Sequence, residues 1–133
     1  MRIGIIGSKE YENRKKIKDT VFRLINKFGD DLTIVSGGCK DGADKYAKKY
    51  ALELGCKYIE FNPSHTVHNL YSACSENFYN KPYTPKNFFV RNTMLAKYVD
   101  KIFAFIPNNI KANGTHHTLN EAKKYRKKCI IID

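Results

Sequence analysis

The sequence contains no long hydrophobic run. Residues 1–7 are apolar for only a few positions before charged residues return, whereas a membrane span needs about 20 consecutive apolar residues. The same segment lacks the extended apolar stretch of a signal peptide. We therefore expect a cytoplasmic protein that does not bind membranes.

Closely spaced metal ligands are also missing. The cysteines at positions 39, 56, 74 and 129 form no C-x-x-C pair, so we expect free thiols in a reducing compartment. His65, His68 and Cys74 are residue types that bind metals, but they fall in a segment that reads as a loop. We expect neither a metal site nor a cofactor.

Two common nucleotide-binding motifs are absent. No G-x-x-x-x-G-K-[ST] run occurs, and the first turn offers only Gly4 and Gly7 where a dinucleotide fingerprint needs G-x-G-x-x-G. These absences argue against a kinase-like NTPase and against an ordinary NAD dehydrogenase.

Acidic residues are few. The chain has 13 of them against 24 lysines and arginines, which gives a formal net charge of +11. Much of the excess lies in predicted helices, at residues 14–16, 48–49, 123–124 and 126–128. This pattern fits a solvated lysine-rich surface, and it also fits a site for phosphates or nucleic acid.

Strands and helices alternate along the chain. Arg2–Gly7 is a β-branched run that ends in glycine, as a buried parallel strand does. From about Asn13 apolar residues recur at helical spacing, and Gly29 stands where a left-handed cap is expected. The same patterns predict strands at 32–35, 57–61, 101–106 and 129–132, with helices over 46–54, 86–98 and 113–125.

This alternation predicts an α/β fold. Strands separated by helices pair in parallel through right-handed crossovers, so we expect a Rossmann-like three-layer sandwich of about five parallel strands in the order 3-2-1-4-5. Helices would cover both faces. The length of 133 residues suits one domain over residues 1–133.

Residues 62–85 interrupt the alternation. This stretch has prolines at positions 63, 82 and 85 and aromatic residues at 71, 78, 79 and 83. It reads as a long irregular loop, and long loops in compact domains are usually functional. Its aromatic residues would stack on a base, or they would form a lid or a contact between subunits.

Three turns that follow strands should converge on one edge of the sheet. They are Gly7-Ser8-Lys9, Ser36-Gly37-Gly38 and Asn113-Gly114-Thr115. Each leads into a helix N-terminus, where backbone N–H groups and a partial positive charge suit a phosphate. Since ligands of open parallel sheets lie beyond the strand C-termini, we expect the binding site there.

Four sequence blocks carry a family resemblance. They are Gly4 to Ser8, the S-G-G-x-x-x-G-A-D element from Ser36 to Asp44, the pair Arg91-Asn92, and Gly114-Thr115. Together they resemble the SLOG superfamily, the Rossmann-like group named after the DNA processing protein Smf/DprA and the Lonely Guy enzyme. Within it the chain is most similar to the small YspA/YpsA-related branch.

The resemblance implies a nucleotide-derived phosphate ligand across these turns, and a homodimer or higher homo-oligomer. Asp44 would contact a ribose or cap its helix, and Asp41 is the other candidate cap of that helix. Arg91 would reach a phosphate or order the site, unless it is a plain surface residue. The expected ligand-binding residues are Gly7, Ser8, Lys9, Tyr11, Ser36, Gly37, Gly38, Asp41, Asp44, Arg91, Asn92, Asn113, Gly114, Thr115 and His116.

One of the departures from the Lonely Guy pattern bears on catalysis; another is Ala112-Asn113, which stand in place of two glycines. Those enzymes carry a catalytic glutamate three residues after the threonine, where this chain has Thr118. His116 or His117 would have to supply an acid instead, or else only contact phosphate or solvent. A sensor or sequestering module is therefore the favoured function; a nucleotide hydrolase or phosphoribohydrolase and a nucleic-acid-binding protein are the alternatives.

Overall fold

A computed structural model describes residues 1–62, 70–73, 85–108 and 110–133. Within these residues the strands are Arg2–Gly7 (β1), Thr33–Ser36 (β2), Lys57–Glu60 (β3), Lys101–Phe105 (β4) and Lys128–Ile132 (β5). The helices are Arg14–Phe28 (α1), Gly42–Glu53 (α2), Pro85–Tyr98 (α3) and Asn113–Lys124 (α4), and a 3-10 turn over Gly29–Asp31 follows α1.

The strands form one parallel sheet in the order β3-β2-β1-β4-β5. This confirms the predicted α/β class and strand order. The chain first adds strands on one side of β1 and then on the other, so the order reverses between β1 and β4. In such sheets the crevice beyond the reversal point is the usual ligand site.

Helices cover both faces of the sheet, because successive strand residues point to opposite sides. Ile5 packs with buried residues of α1 and α2, whereas Ile6 packs with those of α3 and α4. In β2 the neighbours Ile34 and Val35 divide in the same way. The three-layer sandwich predicted from the sequence is therefore confirmed.

Several predicted boundaries move by one or two residues. The second strand is Thr33–Ser36 and not 32–35, because the backbone N–H of Leu32 closes the 3-10 turn on the carbonyl of Gly29 (3.2 Å). The third and fourth strands end one residue earlier than predicted, at Glu60 and Phe105. Asn13 caps α1, since its side chain accepts from the N–H of Lys16 at 3.3 Å.

Most of the predicted loop over 62–85 lies outside the described residues, including positions 63, 65, 68, 74, 78, 79, 82 and 83. Its residues 70–73 run beside β3. The N–H of Glu60 donates to the carbonyl of Tyr71 (2.7 Å), and the N–H of Ala73 donates to the carbonyl of Glu60 (2.8 Å). This part of the stretch is thus tied to the sheet edge by a parallel bridge.

Two absences hold for the described ranges. None of their helices has both the length and the apolar character to cross a membrane. In the same ranges no three His, Cys, Asp or Glu side chains are grouped closely enough to hold a metal ion.

Gly42 allows α2 to begin against the first turn. Its φ is +68°, and a Cβ there would lie 2.2 Å from the carbonyl oxygen of Ser8. We predict that Gly42→Ala lowers the free energy of unfolding by more than about 2 kcal/mol, because both the backbone conformation and the contact become unfavourable.

Gly114→Ala is the matched control, since a Cβ at Gly114 meets no atom within 4 Å and its φ is not positive. Urea unfolding followed by circular dichroism should place this control within about 0.5 kcal/mol of the wild type. Equal stability of the two variants would contradict the role assigned to Gly42.

Candidate functional site

A cleft of about 860 Å³ opens at the reversal point of the sheet. It lies beyond the C-terminal ends of β1 and β2 and beside the N-terminus of α4. Its lining residues are Ile6, Gly7, Ser8, Lys9, Glu10, Gly37, Gly38, Cys39, Lys40, Asp44, Asn62, Phe88, Arg91, Asn92, Leu95, Lys111, Ala112, Asn113, Gly114, Thr115 and Thr118.

The turn after β1 is anchored by Ser8. Its carbonyl accepts from the N–H groups of Tyr11 (3.2 Å) and Ala43 (3.1 Å), and its own N–H donates to the carbonyl of Phe105 (3.1 Å). The Ser8 hydroxyl accepts from the N–H of Glu10 at 3.0 Å. These bonds join the first turn to both α2 and β4, so this wall of the cleft has a fixed shape.

The turn after β2 rests on a buried chain of hydrogen bonds. The N–H of Gly38 donates to the hydroxyl of Ser36 (3.2 Å), which lies 2.5 Å from the Tyr58 hydroxyl. Tyr58 donates to Oε2 of Glu60 at 2.9 Å, and Lys48 Nζ lies 3.6 Å from Oε1 of the same carboxylate. Satisfied polar networks of this kind specify a local conformation. The network lies behind the turn and supports the glycines that line the cleft.

Asp44, in the first turn of α2, is only 8% exposed. Its Oδ2 accepts from the N–H of Cys39 at 3.2 Å, and its carboxyl group also interacts with the N–H of Gly37. Burial raises the pKa of Asp44 to about 6, although the Arg91 charge and the two N–H groups act in the opposite direction. The nearby Glu60 carboxylate adds to the increase.

Arg91 binds main-chain atoms on two sides of the cleft. Its Nη1 donates to the carbonyls of Gly37 (2.6 Å) and Phe61 (3.0 Å), and its Nε donates to Oδ1 of Asn92 (2.7 Å). The guanidinium carbon lies 5.0 Å from the centre of the Phe88 ring. These bonds join α3 to the turns that follow β2 and β3.

Asn92 extends the same connection to α4. Its amide nitrogen donates to the carbonyl of Gly114 (3.3 Å) and lies 3.3 Å from Nδ1 of His117. His117 Nε2 lies 3.6 Å from Oε1 of Glu121. His117 is thus engaged away from the cleft, and His116 is exposed and does not line it.

The first turn of α4 forms the opposite wall of the cleft. Its N-cap residue, Ala112, makes no side-chain hydrogen bond to the helix. The Thr118 hydroxyl donates to the carbonyl of Gly114 (3.1 Å) and is therefore turned into its own helix. A helix start without a side-chain cap leaves backbone N–H donors for another acceptor.

The cleft is more basic than acidic. Its charged lining residues are the basic Lys9, Lys40, Arg91 and Lys111 and the acidic Glu10 and Asp44. This balance, together with the start of α4, favours an anionic ligand over a cationic one.

Most of the predicted site residues come together at the cleft, and four do not. Tyr11 is buried, packs edge-on against Phe105 and brings its hydroxyl within 3.4 Å of the Asp133 carbonyl. Ser36 faces Tyr58, and Asp41 is exposed at the start of α2, where it makes no capping bond. The fourth is His116.

Sequence reasoning missed several lining residues, among them Glu10, Asn62, Phe88 and Lys111. Asn62 lies two residues after β3, and its amide donates to the carbonyl of Gly38 (2.8 Å). Lys111 lies two residues before the start of α4. Ligands of parallel sheets bind where strands end and helices begin. Extending that expectation by two residues on either side of these turns would have included Asn62 and Lys111.

The strand order and the cleft at its reversal point define a Rossmann-like α/β protein. The profile of the YspA, cpYpsA-related SLOG family matches residues 1–68. The chain therefore belongs to that family, as its sequence blocks predicted. No curated protein matches it.

Solved structures share the fold at low sequence identity. DNA processing protein A from Helicobacter pylori, described in terms of its single-stranded DNA binding mode, has a TM-score of 0.68 and 22% identity over 98% of this chain. This chain spans 64% of that protein. The molybdenum cofactor binding protein from Rippkaea orientalis has a TM-score of 0.69 and 21% sequence identity, and the match covers 98% of this chain and 74% of that protein. The Moco carrier protein from Chlamydomonas reinhardtii has a TM-score of 0.67 and 19% sequence identity, and the match covers 98% of this chain and 75% of that protein.

The buried carboxyl of Asp44 makes stability depend on pH. Its pKa rises from 3.8 to about 6 on folding, so the folded protein binds this proton more tightly than the unfolded chain does. The resulting stabilisation is complete below about pH 4 and is lost as the pH rises through 6. At pH 7.5 we predict that Asp44→Asn is more stable than the wild type by about 1–3 kcal/mol.

Urea unfolding at pH 7.5 and at pH 4.5 measures this difference. The advantage of Asp44→Asn should shrink at the lower pH. A variant that is less stable than the wild type at both values would show that the carboxylate stabilises the fold, contrary to this interpretation.

Proposed function

We propose that residues 1–133 form one domain that binds a nucleotide-derived phosphate ligand in the cleft, as a sensor or sequestering module without turnover. The observation that carries the proposal is the meeting of the glycine turns of β1 and β2 with the uncapped start of α4 at the reversal point of the sheet. A cytoplasmic location accompanies this proposal as a prediction.

The phosphate would bind at the start of α4. A Cβ on Gly114 would meet no atom within 4 Å, so an anion can approach the main chain there. Lys9 and Lys111 line the same cleft and add positive charge. Backbone N–H donors, the helix dipole and two ammonium groups together form the usual environment of a bound phosphate.

The structural neighbours support ligand binding by this fold without identifying the ligand. One is described as binding single-stranded DNA and two by their connection with molybdenum cofactor. Their identities to this chain are 19–22%. A nucleotide-derived ligand for this chain is supported by its own cleft and by its SLOG membership.

Two observations weigh against the hydrolase alternative. Thr118 occupies the position of the Lonely Guy glutamate, and its hydroxyl bonds within α4. Glu121, the next carboxylate along the helix, pairs with Lys124 at 3.1 Å and does not line the cleft. Neither side chain is placed to protonate a departing base in the cleft.

The nucleic-acid alternative is favoured by the net charge of +11 and by the DNA-binding neighbour. Its signature would be an affinity for polymeric DNA or RNA that falls steeply with salt, in proportion to the phosphates contacted. Binding of a mononucleotide at a single site would have a much weaker dependence on salt.

We infer in addition that the partner of this chain is a second copy of itself. Within the described residues β5 is an edge strand that pairs only with the strand β4, none of its residues is buried, and Ile131 is 60% exposed. Exposed apolar edge strands pair readily with another strand. In an antiparallel pair with Ile130 opposite Ile131, Lys128 of one copy lies opposite Asp133 of the other, so the edge is complementary to itself.

Sedimentation velocity tests this interface. Ile131→Lys should convert a dimer to monomer, whereas Phe22→Lys, at a 55% exposed position on α1, should leave the dimer intact. A wild type that is monomeric at all concentrations would contradict self-association, and a dimer unaffected by Ile131→Lys would contradict pairing through β5.

A charge placed at Gly114 tests the phosphate site. Gly114→Asp puts a carboxylate beside the expected phosphate, and Gly114→Asn is its uncharged control of equal size. Since acidic residues in the first turn stabilise a helix, the Asp variant should fold at least as stably as the Asn variant. We predict that the affinity for AMP, GMP, CMP, UMP or ADP-ribose falls by at least about tenfold in Gly114→Asp relative to Gly114→Asn.

Thermal shift and calorimetry measure these affinities, and chromatography of the mixtures reports any product. Equal binding by the two variants would contradict a phosphate at α4. Release of a base or of phosphate would favour the hydrolase, and binding confined to a DNA or RNA oligomer would favour the nucleic-acid alternative.

A further inference from the structure

The imidazole ring of His117 lies against Asn92, the residue that links α3 to the start of α4. The amide nitrogen of Asn92 lies 3.3 Å from Nδ1 of His117 and 3.3 Å from the carbonyl oxygen of Gly114. These two contacts occupy both N–H bonds of the amide group. Asn92 is only 5% exposed, so an amide N–H that lost its partner here would be costly.

The hydrogen bonds of Asn92 determine which ring nitrogen of His117 carries the proton. A guanidinium group can only donate, so the 2.7 Å bond from Arg91 Nε requires Oδ1 of Asn92 on that side. The amide nitrogen then faces Nδ1 of His117, and it too can only donate. Nδ1 must therefore accept, and the proton of the neutral ring lies on Nε2.

The other neighbours of the ring agree with this tautomer. Nε2 lies 3.6 Å from Oε1 of Glu121, a carboxylate that also pairs with Lys124 at 3.1 Å. On the α3 side the centre of the Phe89 ring lies 4.6 Å from that of His117. His117 thus has two separable features, an acceptor that faces Asn92 and a flat surface that packs on Phe89.

The bond from Asn92 to Gly114 orients a peptide unit of the expected phosphate site. The carbonyl of Gly114 and the N–H of Thr115 belong to one planar trans peptide and point in opposite directions. The first bond of the α4 ladder runs from the N–H of His116 to the carbonyl of Ala112 (2.9 Å), so the N–H of Thr115 precedes the ladder. Thr115 lines the cleft. Fixing the Gly114 carbonyl therefore fixes the direction of a donor at the cleft.

We propose that His117 is a positioning residue of the cleft. By accepting one N–H of Asn92 it keeps the other on the Gly114 carbonyl, and so holds the Thr115 N–H in the direction of the phosphate. His117 acts through Asn92 and does not touch the ligand. This inference rests on the proposed function, because it takes the phosphate to lie at the start of α4, and it adds a residue outside the cleft on which affinity depends.

Two substitutions separate the acceptor of His117 from its packing. Oδ1 of asparagine and Nδ1 of histidine both lie two bonds from Cβ, so His117→Asn keeps an acceptor for Asn92. His117→Leu keeps apolar bulk beside Phe89 and removes the acceptor. We predict that the affinity for AMP, GMP, CMP or UMP stays within about twofold of the wild type in His117→Asn and falls by about fivefold or more in His117→Leu.

A merely structural role would give the opposite order. Leucine is a better helix former than asparagine and packs better against an aromatic ring, so the Leu variant would then bind at least as well as the Asn variant. Calorimetry measures the affinities, and circular dichroism of the same samples checks that both variants are folded. Equal affinity of the two variants, or weaker binding by His117→Asn, would overturn the inference.

Asn92→Ala tests whether His117 acts through Asn92. Once the amide group is removed, adding His117→Leu should weaken mononucleotide binding by less than about twofold more, because residues in one hydrogen-bond network are not additive. A full further loss of fivefold or more would show that His117 affects the ligand by another route.

Nitrogen-15 NMR of the free protein at pH 7.5 reads the ring without any ligand. His117 should have a protonated Nε2 and an unprotonated Nδ1, and the Nδ1 resonance should shift in Asn92→Ala because it loses a donor. The ring of the exposed His116 is the internal reference and should not shift. A proton on Nδ1 of His117, or an Nδ1 resonance unchanged by Asn92→Ala, would contradict the assigned hydrogen bond.

Failure of this inference is distinguishable from failure of the proposed function. Wild type that binds a mononucleotide as tightly as His117→Leu does would overturn the positioning role and leave the phosphate site standing. Wild type that binds none of the four mononucleotides would overturn both.

Discussion

The cleft depends on the guanidinium of Arg91 binding main-chain carbonyls from two loops at once. Gly37 and Phe61 belong to the turns that follow β2 and β3, and Arg91 itself stands on α3 across the cleft. Through Asn92 the connection continues to Gly114 at the start of α4. An arginine suits this task because its planar fork offers several donors in fixed directions.

This arrangement buries the carboxyl group of Asp44, which lowers the stability of the folded protein at neutral pH. The carboxyl is buried beside the arginine, and its pKa of about 6 means that it is mostly ionised at neutral pH with one oxygen unpaired. Removing the charge is expected to stabilise the protein, because the buried carboxylate no longer has to be ionised.

More of the fold than of the candidate site could be predicted from the sequence. Parallel pairing of the strands followed from β-branched runs separated by helical patterns, and the turns at the sheet edge followed from glycines after strands. Spacing does not reveal which way a side chain turns, so Tyr11 and Ser36 were expected at the cleft, although one packs on Phe105 and the other bonds to Tyr58. Glu60 was missed because its burial depends on contacts across the fold, with Lys48 of α2 and, through Tyr58, with Ser36 of β2.

The central claim is that the cleft holds a small phosphate compound at the start of α4, and native mass spectrometry tests it most directly. Purified wild type and the Gly114→Asp variant would each be exposed to the small-molecule fraction of a cell extract and weighed intact. The account predicts one added mass per wild-type chain, with a phosphate-bearing nucleotide derivative recovered on denaturation, and no added mass on the variant. An unchanged wild-type mass, or the same ligand on both proteins, would contradict it.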